Sequence, residues 1–409
     1  MSRYSPLHGW FVISLLTLLS TSFVWARPFN YEFSEQRSQG FTPFINAELG
    51  HNSNVTHSSD HEISSGFATL TPGGEYTFRK GESRFSGLYI ADAGYYFDSS
   101  DDSYFDQYVE LNASMLFGIR HRLELIYGFH DTHEERGQGV TEGISQQVND
   151  LIEYQQQQFL STYTFGAHQA KGQIRVHAGL ESRQYQNYRM ISQTDGTKYS
   201  DYDSLNYGGR FLYRIRGESQ AFIGIDRQDR QYDYTQVGLA SRDSVSDYYA
   251  IGALWQISGK TRGEASIGYQ SKDFDSNSFQ DFSGLSWRAN LTWQPKNQTR
   301  FKLRTSQSAQ DPDRYGGYTD ETYVGLAWEQ QWRDRLLSTL GASWKGSQFN
   351  DGLYEGRNDD VLSALVKLEY KYNRQLSFGG QWEYEDKTSN NNNVEYTQHI
   401  FGVITQVKF

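Results

Sequence analysis

The sequence predicts an all-β chain, a transmembrane antiparallel β-barrel of the bacterial outer membrane. Three observations carry that prediction. Apolar and polar residues alternate at period two over stretches of roughly nine to twelve residues, the length a tilted strand needs to cross a bilayer. About eighteen such stretches follow one another, an even number, as expected when both chain ends lie on one side of a membrane. The connections alternate between short and long, and this asymmetry plays no part in drawing the stretches.

Composition removes the competing classes. The 409 residues include no cysteine, 6 prolines and 38 glycines, with 30 Tyr, 25 Phe and 9 Trp. Without cysteine there is neither a disulfide scaffold nor a thiolate metal site. A mean hydropathy of -0.73 with 21% charged residues excludes a bundle of membrane helices. The 16% aromatic content runs through the whole chain and speaks against charge-rich disorder. A formal charge of -11 leaves no basic face for nucleic acid.

At the N-terminus, Arg3 precedes an apolar run from Trp10 to Val24, and Val24 and Ala26 occupy the -3 and -1 positions of a secretory cleavage site. Residues 1–26 are therefore expected to be a cleaved signal peptide, residues 27–40 a periplasmic tail, and residues 41–409 the barrel. The expected segments then run in order near 41–51, 65–78, 83–97, 105–117, 121–131, 153–165, 171–184, 204–215, 219–230, 247–258, 262–272, 283–294, 299–307, 322–332, 335–346, 360–372, 374–385 and 396–409. In the twelfth, Leu285, Trp287, Ala289, Leu291 and Trp293 alternate with Ser286, Arg288, Asn290, Thr292 and Gln294. In the fifth, Leu123, Leu125, Tyr127 and Phe129 alternate with Glu124, Gly128 and His130. In the last, Phe401, Val403, Val407 and Phe409 share one face and end on an aromatic residue, a pattern resembling the signal read by the barrel insertion machinery.

Short connections include Arg79 to Glu82, Gly118 to Arg120, Arg216 to Glu218 and Arg333 to Asp334, and they carry Lys and Arg. The long ones, such as 132–152, 185–203 and 308–321, are rich in Asp, Asn and Ser. Outer-membrane barrels put short turns in the periplasm and long loops outside. Closure leaves no strand edge unsatisfied in lipid.

Eighteen strands about 4.7 Å apart and tilted 35–45° enclose a backbone cylinder roughly 35 Å across. Side chains alone cannot fill it, so either loops and tail fold inward or the lumen holds a water-filled path. Parity aims Arg84, Glu110, Glu124, Arg175, Arg210, Arg288, Arg300, Lys302, Arg304 and Lys367 into that lumen, together with Asp92, Glu181, Asp226, Glu264 and Glu369. Such charges either contact a polar solute or pair across strands to stiffen the wall. Arg300, Lys302 and Arg304, three successive inward positions, form a basic ladder that could track an acidic solute.

Other constellations are weaker. His51, His57, His61, Asp60 and Glu62 crowd one loop, and Tyr315 and Tyr318 are candidate stacking rings for sugars. The histidines read better as a solvated loop than as a metal site, and no cofactor is expected. No nucleophile elbow or other context singles out a catalytic set, so the chain does not read as an enzyme.

The stretch Asn46 to Leu125 resembles the outer-membrane β-barrel porins of the second type, found with exopolysaccharide assembly systems. The resemblance rests on Leu49-Gly50-His51-Asn52-Ser53-Asn54-Val55, Ala68-Thr69-Leu70-Thr71-Pro72-Gly73-Gly74, Tyr95-Tyr96-Phe97 and Tyr104-Phe105-Asp106-Gln107-Tyr108. Beyond the fourth segment it rests on architecture. It implies a conduit that carries a secreted polysaccharide through lipid and lipopolysaccharide, with a periplasmic polysaccharide-export protein as partner. Basic turn residues Arg79, Lys80, Arg120, Arg122, Arg333 and Arg335 could dock that partner or simply solubilise the turns. A diffusion porin for small hydrophilic solutes and a surface adhesin are the alternatives.

Overall fold

A computed structural model describes residues 39–409 apart from 193, 194, 258 and 315. The expected signal peptide, the tail up to residue 38 and Tyr315 lie outside the described residues. Eighteen antiparallel strands form one sheet. They are β1 Gly40–Asn52, β2 Ser65–Lys80, β3 Ser83–Tyr96, β4 Tyr104–Phe117, β5 His121–Glu134 and β6 Ile152–Phe165. Next come β7 Gly172–Tyr185, β8 Tyr202–Arg216, β9 Ser219–Tyr232, β10 Ser244–Ile257, β11 Thr261–Phe274 and β12 Phe282–Lys296. The last six are β13 Thr299–Gln310, β14 Tyr318–Arg333, β15 Leu336–Asn350, β16 Asn358–Lys371, β17 Leu376–Ser389 and β18 Tyr396–Lys408.

Each strand pairs with its sequence neighbours, and β1 closes on β18 from Phe44↔Lys408 to Asn52↔Ile400. Apart from local irregularities such as that between Trp293 and Lys296, the backbone polar groups of the wall are thereby paired between strands, the condition for standing in hydrocarbon. The strands are longer than the alternation implied, 12 residues in β13 and 16 in β2 and β14. The apolar alternation stops at the bilayer boundary, whereas backbone pairing continues into water above it.

The outer face is the apolar one. Leu49, Ile223, Ile251, Phe401, Val403 and Phe409 are exposed, which in this setting means turned to lipid. Near the turns, Trp293, Phe301, Trp328 and Trp332 form a chain of rings with successive centroids 5.3, 6.4 and 6.2 Å apart. Such amphipathic rings settle at the lipid–water interface and set the barrel's height.

The two rims differ in chain length. On the rim of the chain termini, connections such as 81–82, 217–218 and 334–335 are tight turns, and even 166–171 spans at most about 20 Å, too little to cross a lumen of this size. On the other rim lie nine longer loops, here L1 (53–64), L2 (97–103), L3 (135–151), L4 (186–201), L5 (233–243), L6 (275–281), L7 (311–317), L8 (351–357) and L9 (390–395).

Candidate functional site

The lumen is where this fold gathers its polar chemistry. Its wall is unevenly charged: Glu48, Glu75, Asp92, Asp106, Glu110 and Glu383 point inward from β1–β4 and β17, whereas Arg175, Arg210, Arg288, Arg300, Lys302 and Arg304 come from β7–β13. Arg84 and Lys367 interrupt the acidic side, and Asp226 and Glu264 the basic side.

Most predicted lumen charges meet partners. Arg210 joins Glu264 at 3.1 Å and Asp226 at 3.3 Å. Arg84 lies 3.9 Å from Glu75, and Asn112 donates to Glu110 at 3.0 Å. Glu124 stands in the field of Arg175 and Arg122. Lys367 pairs in register with Gln381, whose amide donates to Glu48 at 3.0 Å. The ladder on β13 is split: Arg300 and Lys302 share Glu329 at 3.1 and 2.6 Å, while the Arg304 guanidinium lies 5.8 Å from the Tyr323 ring centre. Arg300 and Lys302 each keep 39% of their side chains exposed, so the pairing leaves both accessible from the lumen.

The turn cations do not form one patch. Arg79 and Lys80 end β2, and Arg120 and Arg122 flank the start of β5, where Arg122 meets His168 at 3.3 Å. Arg333 and Arg335 bound the β14–β15 turn, five strands away around the ring from β2. A partner reaching all six would have to span the mouth.

The opposite mouth is strapped by two loops. L3 turns into the barrel because Val140 and Val148 bury themselves against Ile152, Tyr154 and Tyr185. Its backbone passes so close to L1 that a Cβ on Gly137 would lie 2.2 Å from the Thr56 carbonyl oxygen, and the φ of +80° is also one that glycine tolerates best. Arg136 fastens its first turn to L2, with Nε donating to Asp102 Oδ1 at 2.6 Å. This hydrogen bond, working against burial, holds the Arg136 guanidinium above its ordinary value.

The far end of L3 reaches the other side of the barrel. Glu142 accepts from Arg357 of L8 at 2.6 Å and pairs with Lys387 of β17. Asp359 on β16 completes the clasp, meeting Lys387 at 3.1 Å and Arg357 Nε at 2.9 Å. Arg357 is almost fully buried, between the rings of Phe349 and Tyr354 at 4.4 and 5.2 Å. Although burial disfavours its charge, Asp359 and Glu142 raise its pKa overall.

L7 forms the second strap. The β12–β13 register ends at Trp287↔Gln307, so the last residues of β13 part from β12 while staying paired with β14 as far as Gln310↔Thr319. Gln270 of β11 catches them, donating to the Ala309 carbonyl at 3.0 Å and accepting from the Ala309 amide at 3.0 Å. Beyond, Asp311 sits between Lys272 at 2.7 Å and Arg230 at 2.9 Å. Burial pushes its carboxyl up, but the two cations prevail and hold it at about 2. Arg242 of L5 donates to the carbonyls of Pro312 and Arg314 at 3.1 and 2.9 Å, and Ser200 of L4 donates to that of Asp313 at 2.8 Å.

The crowded histidine loop serves the same closure. His57 Nδ1 lies 3.1 Å from the Arg136 carbonyl and its Nε2 3.0 Å from Gln398. Among the described residues no three metal-ligating groups converge.

The sequence pattern of the family described as "Putative beta-barrel porin 2" matches residues 41–409, the whole of the barrel. The chain belongs to that family. It is a porin-like outer-membrane β-barrel, and the resemblance read from Asn46 to Leu125 extends to every strand. No curated protein matches the sequence of this porin. Its fold is similar to OpdK of Pseudomonas aeruginosa, crystallised with vanillate, at 12% identity, covering 90% of this chain and 99% of that one with a TM-score of 0.49. It is also similar to OccAB4 of Acinetobacter baumannii, at 9% identity, 91% and 99% coverage and a TM-score of 0.47. The siderophore receptor PirA of Acinetobacter baumannii aligns at 7% identity, with 92% and 81% coverage and a TM-score of 0.46.

Proposed function

We propose that this porin is an outer-membrane conduit for a secreted exopolysaccharide or capsular polysaccharide, fed from the periplasm by a polysaccharide-export protein. The observation that carries the reading is the contrast between the two mouths. The periplasmic mouth has only short turns, and the wall above it offers both signs of charge to a hydrated polymer. The outer mouth is strapped by L3 and L7, whose clasps combine apolar anchors, hydrogen bonds to the loop backbone and side-chain ion pairs, all of which can separate without breaking the wall. A polymer arriving from the periplasm meets charge first and straps last. Family membership supports the same reading through the exopolysaccharide association that the resemblance implies.

In this scheme Arg300, Lys302 and Arg304 guide acidic units along β13. Arg79, Lys80, Arg120, Arg122, Arg333 and Arg335, at three separate turns of the mouth, are contact points for the periplasmic partner. A second reading, a diffusion porin, is favoured by L7, since an inward loop is also a means of setting a solute size limit.

The test is a clean deletion with its complemented parent, measuring surface and periplasmic polysaccharide in the same cells. Lost surface polymer with trapped periplasmic material is the expected result. Unchanged surface polymer overturns the conduit and leaves the diffusion reading, for which small-solute uptake through the purified barrel is the direct assay.

A further inference from the structure

Beneath L7 the basic side of the lumen encloses a chamber that the strap does not fill. The space there open to the centres of water molecules is about 110 Å³, many times what a single water needs, and it can hold one guest of monosaccharide size. Its lining contains unused hydrogen-bonding capacity. Asn206 and Gln228 face each other across the β8–β9 pair, and neither Asn206 Oδ1 nor Gln228 Nε2 has a hydrogen-bond partner among the described residues. Asn206 is only 4% exposed. A buried polar atom left without a partner costs about 1–3 kcal/mol, so two side by side at one cavity are to be met by water or by a hydroxylated guest.

The chamber also has a cation without an acid. Arg288 extends from β12 across β11 until its guanidinium lies 5.9 Å from the ring centre of Tyr248 on β10. Tyr248 pairs in register with Asp226, two residues from Gln228, so the guanidinium and the free amides border the same space. The neighbouring acids are engaged elsewhere. Glu181 accepts from Gln156 and Tyr202 at 2.8 and 2.7 Å. Asp226 is held by Arg210 and His177 at 3.3 and 3.4 Å, and Asp311 by Lys272 and Arg230. Arg288 makes no ion pair among the described residues.

We propose that this chamber is a binding subsite for a hydroxylated carboxylate of monosaccharide size, a uronic-acid type of unit. Arg288 takes the carboxylate in a forked pair of hydrogen bonds. Asn206 Oδ1 accepts from one ring hydroxyl, and Gln228 Nε2 donates to its neighbour. A neutral hexose lacks the group Arg288 reads, and a simple carboxylate lacks those the amides read. The inference rests on the conduit reading for the origin of such a unit, not for the chemistry of the chamber.

Calorimetric titration of the full barrel in detergent with glucuronate, glucose and acetate tests it. Glucuronate should bind at least tenfold more tightly than either control. Arg288→Gln should remove most of that preference, and Arg288→Lys, which keeps the charge and loses the fork, should fall between. Heat-modifiable mobility on a gel verifies that each variant is a closed barrel, and Asn206→Ala provides a second variant if Arg288→Gln does not fold. Equal binding of acetate and glucuronate, no binding of glucuronate, or undiminished binding by folded Arg288→Gln overturns the subsite. Binding combined with unchanged surface polymer in the deletion strain removes the conduit and leaves the chamber. Lost surface polymer without glucuronate binding removes the chamber and leaves the conduit.

Discussion

The half of this barrel at the rim of short turns and the half beneath the long loops share one wall and one set of strands, yet they solve the problem of a wide lumen differently. In the lower half, acids and bases pair along the wall, Arg210 of β8 with Asp226 on the next strand and with Glu264 three strands on. In the upper half, pairs cross the cavity: Glu142 of L3 reaches Arg357 and Lys387 on the far side. Neighbour pairs stiffen a wall, whereas pairs that cross a space close it. The difference shows that charge in such a lumen has to be read by what it spans, not by its sign.

The largest test of that contrast is to shorten L3 to a Gly-Ser linker between Glu134 and Ile152. Single-channel conductance in planar bilayers should rise several-fold, and an unchanged conductance would show that the upper half is not the barrier. Next in size is Glu142→Gln, which leaves the strand pairing intact and removes one of the two acids that Arg357 and Lys387 share, leaving Asp359. Loss of a largely buried pair costs on the order of 3 kcal/mol, and it should appear as more frequent opening events with no change in thermal stability of the barrel.

Acid should act on L7 in a defined window. The Asp311 carboxyl is held at about 2, below its ordinary 3.8. Its pairs with Lys272 and Arg230 therefore stabilise the strap fully above about pH 4, and this contribution is lost as pH falls through about 2. Asp313, pushed up by burial, takes its proton at higher pH, so the response begins before Asp311 titrates. Conductance should increase between pH 4 and pH 2, and Asp311→Asn should be open at neutral pH already. The smallest effect is expected from the lower half. Replacing Arg300, Lys302 and Arg304 by Ser should leave insertion intact, shift the reversal potential toward cations and slow an acidic polymer. Unchanged selectivity in a well-folded triple variant would retire the ladder as a solute track.

The architecture was readable because side-chain parity and turn length are local properties. Leu285 through Trp293 declare a strand in any context that has lipid on one side. The lumen parity of Arg300, Lys302 and Arg304 was readable for the same reason, but not the sharing of Glu329, which depends on register with the following strand. The straps were hidden. Glu142, Asp311 and Arg357 look like ordinary loop charges, and nothing in period two tells how far a loop reaches. One signal was available: Val140, Ile144, Val148 and Leu151 are too many apolar residues for a loop that faces water, and two of them prove to be the anchor of L3. The strands outgrew their expected lengths because alternation reports the bilayer and pairing does not.

Closure of β1 on β18 has a consequence in time. Phe44 can find Lys408 only after nearly the whole chain has been made and delivered, so every intermediate exposes two raw edges, one at each end of a growing sheet. A chain that stalls before β18 has no smaller barrel to fall back on, and its open edges are templates for the next stalled copy. The last strand thus acts as a completeness check: an interrupted product keeps both edges open, and only a finished one is a sealed cylinder.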